Sequence, residues 1–152
     1  MATLITQKQL QEGLQTGLDT VIGFNSPSTI QGDTILDEAI ANLPFAMILT
    51  ARNYELIPAP GRMIGTYTIP VTIFVEFVDW EESGKAVRDI EQGVHDKFFT
   101  DGSMWSAGGL SGVSLIGITA SDIGEVYPEN DGGGQVLPVF LTRTMDFEIE
   151  LF

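Results

Sequence analysis

The sequence predicts an α+β fold, in which a mostly antiparallel β-sheet carries amphipathic helices packed on one face. Apolar residues alternate with polar ones from Leu137 to Leu151, and a second alternation runs from Thr66 to Trp80. A period of two marks a strand with one dry face and one wet face. Before and between these stretches, apolar residues recur at helical spacing. The predicted order is α, a short second α, then β-β-α-β-β, in a single domain over residues 1–152.

The first predicted helix covers residues 6–22. Thr6 followed by Gln9 forms a capping box at its start. Gly13 and Gly17 each weaken this helix by about 1 kcal/mol relative to alanine, and they allow another backbone to approach closely. The predicted apolar face comprises Leu10, Leu14, Leu18, Val21 and Ile22.

The next stretch is predicted to be irregular before the sheet begins. Asparagine, proline and serines in residues 23–32 are typical of a loop. An apolar stripe in residues 33–43 predicts a short helix that Pro44 ends, and residues 45–50 predict a short strand. Residues 53–62 contain two prolines and a glycine, which predict a connecting loop or the tip of a long hairpin.

Residues 66–80 form the strongest predicted strand. Pro70 has no N–H for a ladder, so we expect it at a sheet edge or a bulge. Trp80, at the end of this strand, is expected to pack on the helix that follows. The predicted dry face comprises Tyr67, Ile69, Val71, Ile73, Val75 and Phe77.

The second half of the chain is predicted to contain another helix, followed by strands. Residues 83–99 predict an amphipathic helix, and the glycine-rich residues 101–112 predict a flexible loop. Residues 113–119 predict a strand that extends at most toward Val126, and residues 129–134 predict a turn. The final strand starts at Leu137 in this prediction. Such a long strand needs partners along both edges, in its own chain or in a neighbouring copy.

The charge balance constrains function most strongly. Twenty-one acidic residues against seven basic ones give a net charge of −14. A protein that binds nucleic acid regardless of sequence needs lysine and arginine to displace phosphate counterions, so the composition argues against this class. An acidic surface instead repels DNA where DNA must pass without sticking, or it serves solubility alone. The sequence leaves both interpretations open.

Cysteine and histidine usage excludes several kinds of site. The chain has no cysteine and one histidine, His95, so disulfides, thiolate chemistry and multi-histidine metal sites are excluded. His95 borders the apolar face of a predicted helix and is interpreted as a boundary residue. The sequence has no apolar run of membrane-spanning length and no signal-peptide pattern at its start. We therefore expect a soluble protein without a membrane partner.

The sequence lacks the signatures of catalysis. Its glycine clusters lie between strand-like segments, without the lysine that follows a phosphate-binding loop. Carboxylate pairs such as Glu81 with Glu82 fall on predicted solvent faces. A general acid needs a pocket that shifts its pKa, and a solvent face provides none. Four acids offer oxygens for calcium but lack the spacing of a calcium loop, so a solvated turn is preferred. We predict no catalytic residue, no cofactor and no metal. The four acids are Asp122, Glu125, Glu129 and Asp131.

Five residues are predicted to lie in subunit interfaces. Met104 and Trp105 are large apolar side chains in a glycine-rich loop, and such side chains often anchor interfaces. The alternative for both is packing onto the chain's own core. Arg52, Arg62 and Arg143 are scarce cations in an acidic chain, so they are candidates for ion pairs between subunits. Such pairs would set the register of association more than its strength.

The order and rhythm of these elements resemble the tail terminator and tail completion proteins at the neck of tailed bacteriophages. The shared parts are the capped N-terminal helix, a short strand after Pro44, a long strand into an acid-rich turn, and a second helix. A strand after a loop and a C-terminal strand with the pattern Thr-Arg-Thr-Met-Asp-Phe-Glu-Ile-Glu-Leu complete the resemblance. It covers most of the chain, although residues 25–43 and 101–112 look longer than in the minimal version.

The resemblance implies a structural virion protein without a substrate. Members of this group form homo-oligomeric rings, commonly hexameric, that end the tail tube, join it to the head and let DNA through the lumen. The implied partners are further copies of the chain, the tail tube protein and the head–tail connector or adaptor, in a virion assembled in the host cytoplasm. Another connector or baseplate ring is a close rival. A small non-enzymatic ligand-binding module is the alternative of a different class, and it needs a pocket lined by Trp80, Tyr54 or Tyr67.

Overall fold

A computed structural model describes residues 5–24, 28–30, 43–107, 110–127 and 137–152 of the chain. These residues contain helices and a mostly antiparallel sheet, which confirms the predicted α+β class. The predicted short helix over residues 33–43 lies, except for Leu43, outside the described residues, as does the predicted turn over residues 129–134. The elements are α1 (Gln7–Leu18), β1 (Thr29–Ile30), β2 (Phe45–Ile48), β3 (Asn53–Ala59), β4 (Arg62–Glu76), α2 (Trp80–Thr100), α3 (Ser103–Ala107), β5 (Val113–Ala120), β6 (Gly124–Val126) and β7 (Phe140–Leu151).

The described strands form one sheet of seven, with the path β1-β2-β4-β7-β5. The long strands β4 and β7 lie side by side at its centre, from Gly65 opposite Leu151 to Glu76 opposite Phe140. Strand β3 pairs with the first part of β4, and β6 pairs with the first part of β7. All described pairs are antiparallel except β1 with β2.

The main core lies between one face of this sheet and the helices. The predicted alternation in β4 is observed from Tyr67 to Val75, whose odd-numbered side chains are buried there. Strand β7 contributes its own odd positions from Met145 to Leu151, and the Phe98 ring meets Phe147 edge to face at 4.9 Å. A smaller apolar cluster occupies the opposite face beside β2. Its buried members are Phe45, Met47, Phe74 and Phe140.

Both long helices begin where local sequence signals place them. The predicted capping box of α1 is present, since the Gln9 N–H donates to Thr6 Oγ1 and the Thr6 N–H donates to Gln9 Oε1. Helix α1 ends at Leu18 instead of Ile22, and Ile22 is 94% exposed. Helix α2 starts at Trp80, three residues before the predicted start, because Asp79 accepts the Glu82 N–H and caps it.

Pro70 lies in the central strand β4, neither on a sheet edge nor at a register shift. The Leu49 N–H donates to the Pro70 carbonyl, so the backbone of Pro70 faces the connection between β2 and β3. Strand β2 has ended at this point of β4 and β3 has not yet begun, so no strand there needs an N–H from Pro70. Helix α1 bonds this connection instead: Gln11 Nε2 donates to the Leu49 carbonyl, and the Ala51 N–H donates to Gln7 Oε1.

The structure corrects three predicted boundaries. Residues 53–62 are mostly strand β3, and they form the long hairpin that was one of the two predicted alternatives. The predicted loop over residues 101–112 contains the short helix α3. Strand β7 begins at Phe140, and the predicted dry-face residues Leu137 and Val139 are exposed because they precede the part of the sheet that the helices cover.

Candidate interaction surfaces

The structure does not gather the five predicted interface residues into one site. Met104 and Trp105 are 3% and 6% exposed, within the main core. The preferred prediction of an interface role is therefore wrong for this fold, and the alternative, packing onto the chain's own core, is observed. The reason is α3, which turns both side chains toward α1.

Two glycines of α1 make room for this packing. A Cβ at Gly13 would lie 2.6 Å from the Trp105 ring, and one at Gly17 would lie 2.6 Å from the Phe98 ring and 3.0 Å from Met104 Sδ. Both distances to the rings are below those that real Cβ atoms tolerate. The predicted approach of another backbone is not observed, because aromatic side chains and Met104 occupy the space at these glycines. Gly13 and Gly17 are thus the residues that allow Trp105, Phe98 and Met104 to pack against α1.

Arg143 lies on the helix-covered face of the sheet and pairs within its own chain. Its Nε is 2.7 Å from Glu91 Oε1 of α2, although the N–H is not aimed well enough to count as a hydrogen bond. Both side chains are mostly buried. The geometry therefore assigns Arg143 to holding α2 on β7, because separating the pair would leave two poorly solvated charges.

Arg52 lies on the opposite face of the sheet, which no described helix covers and which we call the bare face. Its Nη2 donates to Asp146 Oδ1 at 3.2 Å, and the arginine side chain is more than half exposed. An exposed pair of this kind contributes about 0–1 kcal/mol. The carboxylate of Asp146 is thus partly neutralised, whereas Glu148 and Glu150 continue the same row in full solvent.

The bare face is polar over most of the two central strands. Threonines of β4 and β7 meet across it, and Thr72 Oγ1 lies 3.0 Å from Thr144 Oγ1. Carboxylates follow toward the C-terminal end of β7. From Thr142 to Glu150, the side chains of β7 on this face are hydroxyls and carboxylates, which neither bind phosphate nor offer an apolar surface to a partner.

Arg62 lies at the end of a projecting two-stranded ribbon. Strand β7 ends at Leu151, opposite Gly65, so residues 57–64 pair only with one another. We call these residues the ribbon. Pro60 followed by Gly61 at φ 73° makes its tight turn. Arg62 is exposed and forms no ion pair within the described residues.

An exposed apolar surface at the opposite end of β4 is a feature that the sequence interpretation missed. The Phe77 N–H donates to the Val139 carbonyl, and the Val139 N–H donates to the Val126 carbonyl, so three strand ends lie side by side. Trp80 does not pack on α2 as predicted: it is 54% exposed and meets Phe77 edge to face at 4.9 Å. We call this surface the end patch; it comprises Phe77, Val78, Trp80, Val126, Tyr127 and Val139.

The described residues contain little that could support chemistry. They hold no group of three or more histidine or acidic side chains placed to bind a metal. Of the calcium candidates, Asp122 and Glu125 are exposed, and Glu129 and Asp131 lie outside the described residues. A hydrogen bond from Tyr127 to Glu125 raises the pKa of the Tyr127 phenol, away from the range useful at neutral pH. His95 is half-buried beside Phe99, with ring centres 6.0 Å apart, as a boundary residue should be.

The three aromatic residues proposed for a ligand pocket do not share one. Tyr54 stacks on Tyr67 with ring centres 5.2 Å apart, and this contact leaves Tyr67 buried. Burial, with the nearby Tyr54, raises the pKa of the Tyr67 phenol. Trp80 follows the far end of β4, about 30 Å away at the usual rise per residue.

Comparison with known proteins identifies no relative, so function is inferred from the surfaces described above. No protein-family model matches the sequence, and no curated protein is significantly similar to it. None of the helices in the described part of the chain is long and apolar enough to cross a membrane.

Proposed function

We propose that this chain is a structural subunit of the neck of a tailed bacteriophage, most specifically the tail terminator. In this proposal, copies of the chain form a ring, commonly of six, that ends the tail tube and joins tail to head. Its partners are the tail tube protein and the head–tail connector or adaptor, and DNA crosses its lumen in transit. The chain itself has no substrate, cofactor or metal in this role.

The bare face of the sheet is the observation that carries this proposal. It is broad, uncovered by described helices, rich in threonine and edged by Asp146, Glu148 and Glu150. A wall of this composition repels the phosphates of a passing DNA duplex, and the apolar cluster on the same face beside β2 is buried. Turned toward the lumen, it would let DNA slide.

The layout of the sheet supports assembly into a ring. Strands β3 and β5 lie at opposite sides of the central pair, and each has one edge without a described partner. Contacts between two different edges or ends of neighbouring copies are heterologous, and they close into a ring when the rotation between copies allows it. The order on which the phage resemblance rests is present as the capped α1, then β2, β4, α2, β5 and β7.

A second position in the same particle would use the same surfaces. A head–tail adaptor, a connector stopper or a baseplate ring also needs a polar lumen and heterologous contacts. A ligand-binding module has no such support, because Tyr67 is buried and Trp80 lies far from Tyr54.

Solution mass and shape test the proposal directly. We expect light scattering to give a discrete oligomer of about six subunits, and negative-stain images of the same sample to show rings with a central hole. Should the protein be monomeric, purified tails are added, and binding at one tail end is expected. A monomer that also fails to bind tails would contradict the proposal.

The orientation of the bare face needs a separate experiment on the rings. A Glu148→Lys/Glu150→Lys variant should form rings of unchanged mass that retain linear double-stranded DNA about tenfold more strongly than the wild type. The matched control is Glu12→Lys/Asp89→Lys, on exposed positions of α1 and α2. Both variants change the formal net charge from −14 to −10, since each replaces two acids by two bases. Equal DNA retention by both variants would contradict a lumen lined by the bare face.

A further inference from the structure

The ribbon carries apolar side chains that its own chain does not cover. Across it, Ile57 pairs with Ile64 and Pro58 pairs with Met63. Ile57 is half exposed and Pro58 is exposed, and the other two are only partly buried. A two-stranded hairpin is marginally stable in water unless something packs against it. The ribbon therefore has both the surface and the energetic reason to meet a partner.

The base of the ribbon fixes its direction. Gly65 has φ 147°, and a Cβ at this position would lie 2.0 Å from the Glu55 carbonyl oxygen. Only glycine fits there, so the two strands stay closely paired as they leave the sheet. The ribbon consequently extends from the sheet as a defined element.

The end patch offers a matching surface at the opposite end of β4. Its aromatic and aliphatic side chains lie at three adjacent strand ends, and all but the half-buried Phe77 are exposed. Exposed Trp residues within apolar patches are typical anchors of protein contacts. An unpartnered apolar patch of this kind marks an interaction surface more often than a free surface.

The charges of the two surfaces are opposite. Arg62 lies at the turn of the ribbon without an ion pair in the described chain. Beside Trp80, a surface depression is lined by Asp79, Glu81, Glu82 and Lys85, so carboxylates outnumber the cation. Glu81 and Glu82 are exposed and likewise have no ion pair within the described residues.

The two surfaces cannot meet within one chain. They lie at opposite ends of the 15-residue strand β4, which spans about 45 Å at 3.3 Å per residue. A contact between them must join two copies head to tail, and a head-to-tail contact is heterologous. Repeated with a closing rotation, such a contact produces a ring.

We propose that the ribbon of one copy docks on the end patch of the next copy, with Arg62 placed among Glu81, Glu82 and Asp79. This contact rests on the proposed ring and specifies how the ring closes. In this contact, Ile57 of one copy packs against Trp80 of the next. The charged side chains orient the ribbon on the end patch.

Cysteine cross-linking tests the contact, because the natural chain has no cysteine. One variant carries Ala59→Cys on the ribbon and Val78→Cys in the end patch. A short bis-maleimide should convert it into a ladder of covalent oligomers on a denaturing gel, ending at the ring number. The matched control carries Ala59→Cys with Thr119→Cys, an exposed position of β5, and should give no ladder. Each single-cysteine variant should stay free of products larger than a dimer.

Light scattering on the same samples separates the two hypotheses. Discrete oligomers without a ladder would overturn this contact, assign the end patch to another protein and leave the proposed ring intact. A protein that stays monomeric, alone and with tails, would overturn both the ring and the contact. A ladder in the Thr119 control would show unspecific collisions and would also overturn the contact.

Charge reversal provides an independent readout. Arg62→Glu should weaken self-association about tenfold, and Glu81→Arg/Glu82→Arg should weaken it to a similar degree. Combining the three substitutions should restore most of the lost affinity, because the opposite charges then face each other again. A combined variant as weak as the sum of its parts would contradict the pairing of Arg62 with these acids.

Discussion

The middle of strand β4 is covered by helices, whereas its two ends are not. Between Tyr67 and Val75 its alternate side chains are buried beneath α1 and α2. Met63 and Ile64, before Gly65, are only partly buried, and Val78, after Glu76, is exposed. Apolar residues occur in both environments, although the alternation begins only at Thr66. The difference comes from the helices, which cover the middle of the sheet and not its ends. Burial in a strand is therefore decided by the layer above it, and the ends that no helix covers are the surfaces that the proposed contact uses.

The two tryptophans test this difference with the largest expected effect. Trp105→Ala removes a buried ring from beneath α1 and should lower the free energy of unfolding by about 3–5 kcal/mol. Trp80→Ala, at the open end, should lower it by less than about 1 kcal/mol. Urea denaturation followed by circular dichroism measures both. Similar losses for the two variants would contradict the distinction between covered middle and open end.

Two helical glycines sharpen the comparison. Gly13→Ala forces a methyl group to within 2.6 Å of the Trp105 ring, so we expect a loss of about 1–3 kcal/mol despite the better helix propensity of alanine. Gly84→Ala in α2 meets nothing within 4 Å and should stabilise the fold by about 0.5–1 kcal/mol. The opposite signs are measurable as opposite shifts in thermal unfolding temperature. A stabilising Gly13→Ala would mean that α1 and α3 are not in close contact.

The two arginine pairs extend the comparison to the two faces of the sheet. Arg143→Ala leaves Glu91 poorly solvated under α2 and should cost about 1–2 kcal/mol, less than a fully buried pair because some solvent reaches it. Arg52→Ala on the bare face should cost below about 1 kcal/mol. Raising the salt concentration should reduce the effect of Arg52 more than that of Arg143. An equal salt dependence would argue against the difference in burial.

The smallest effect is expected at the end of α2. Lys97 Nζ and the Ser103 N–H donate to the Asp101 carboxylate and hold its pKa well below its usual range. A lowered pKa contributes stability above the unfolded pKa of about 3.9, and this contribution is lost as the pH falls toward the folded pKa. The stability difference between wild type and Asp101→Asn should therefore shrink from about pH 6 to about pH 2. A difference that grows on acidification would contradict the assignment.

Local patterns were sufficient to predict most of the long elements. The capping box at Thr6, the helical spacing in α2 and the alternation in β4 and β7 each depend on residues close in sequence. The fold class followed from their order. The observed ends of elements differ from the predicted ones where a capping residue such as Asp79, or the end of a neighbouring strand, determines where the helix or strand begins.

The positions of the interaction residues depended on distant parts of the chain. Trp105 is buried because Gly13, far away in sequence, leaves room for its ring, and no pattern around Trp105 reveals this. Arg143 was recognised as a scarce cation, but its partner Glu91 is on another element. The end patch joins the ends of β4, β6 and β7, which only the sheet topology brings together.

Pro58 gives the ribbon a further property. Ala59 and Arg62 flank the two-residue turn, so alternate residues of β3 direct their backbone groups away from β4, and Pro58 is one of them. Because proline has no N–H, an incoming strand would find a missing donor on this edge. The ribbon can thus expose apolar side chains while its Pro58 edge remains a poor template for an added strand. In the proposed contact between copies, this edge would favour association through side chains over pairing of strands.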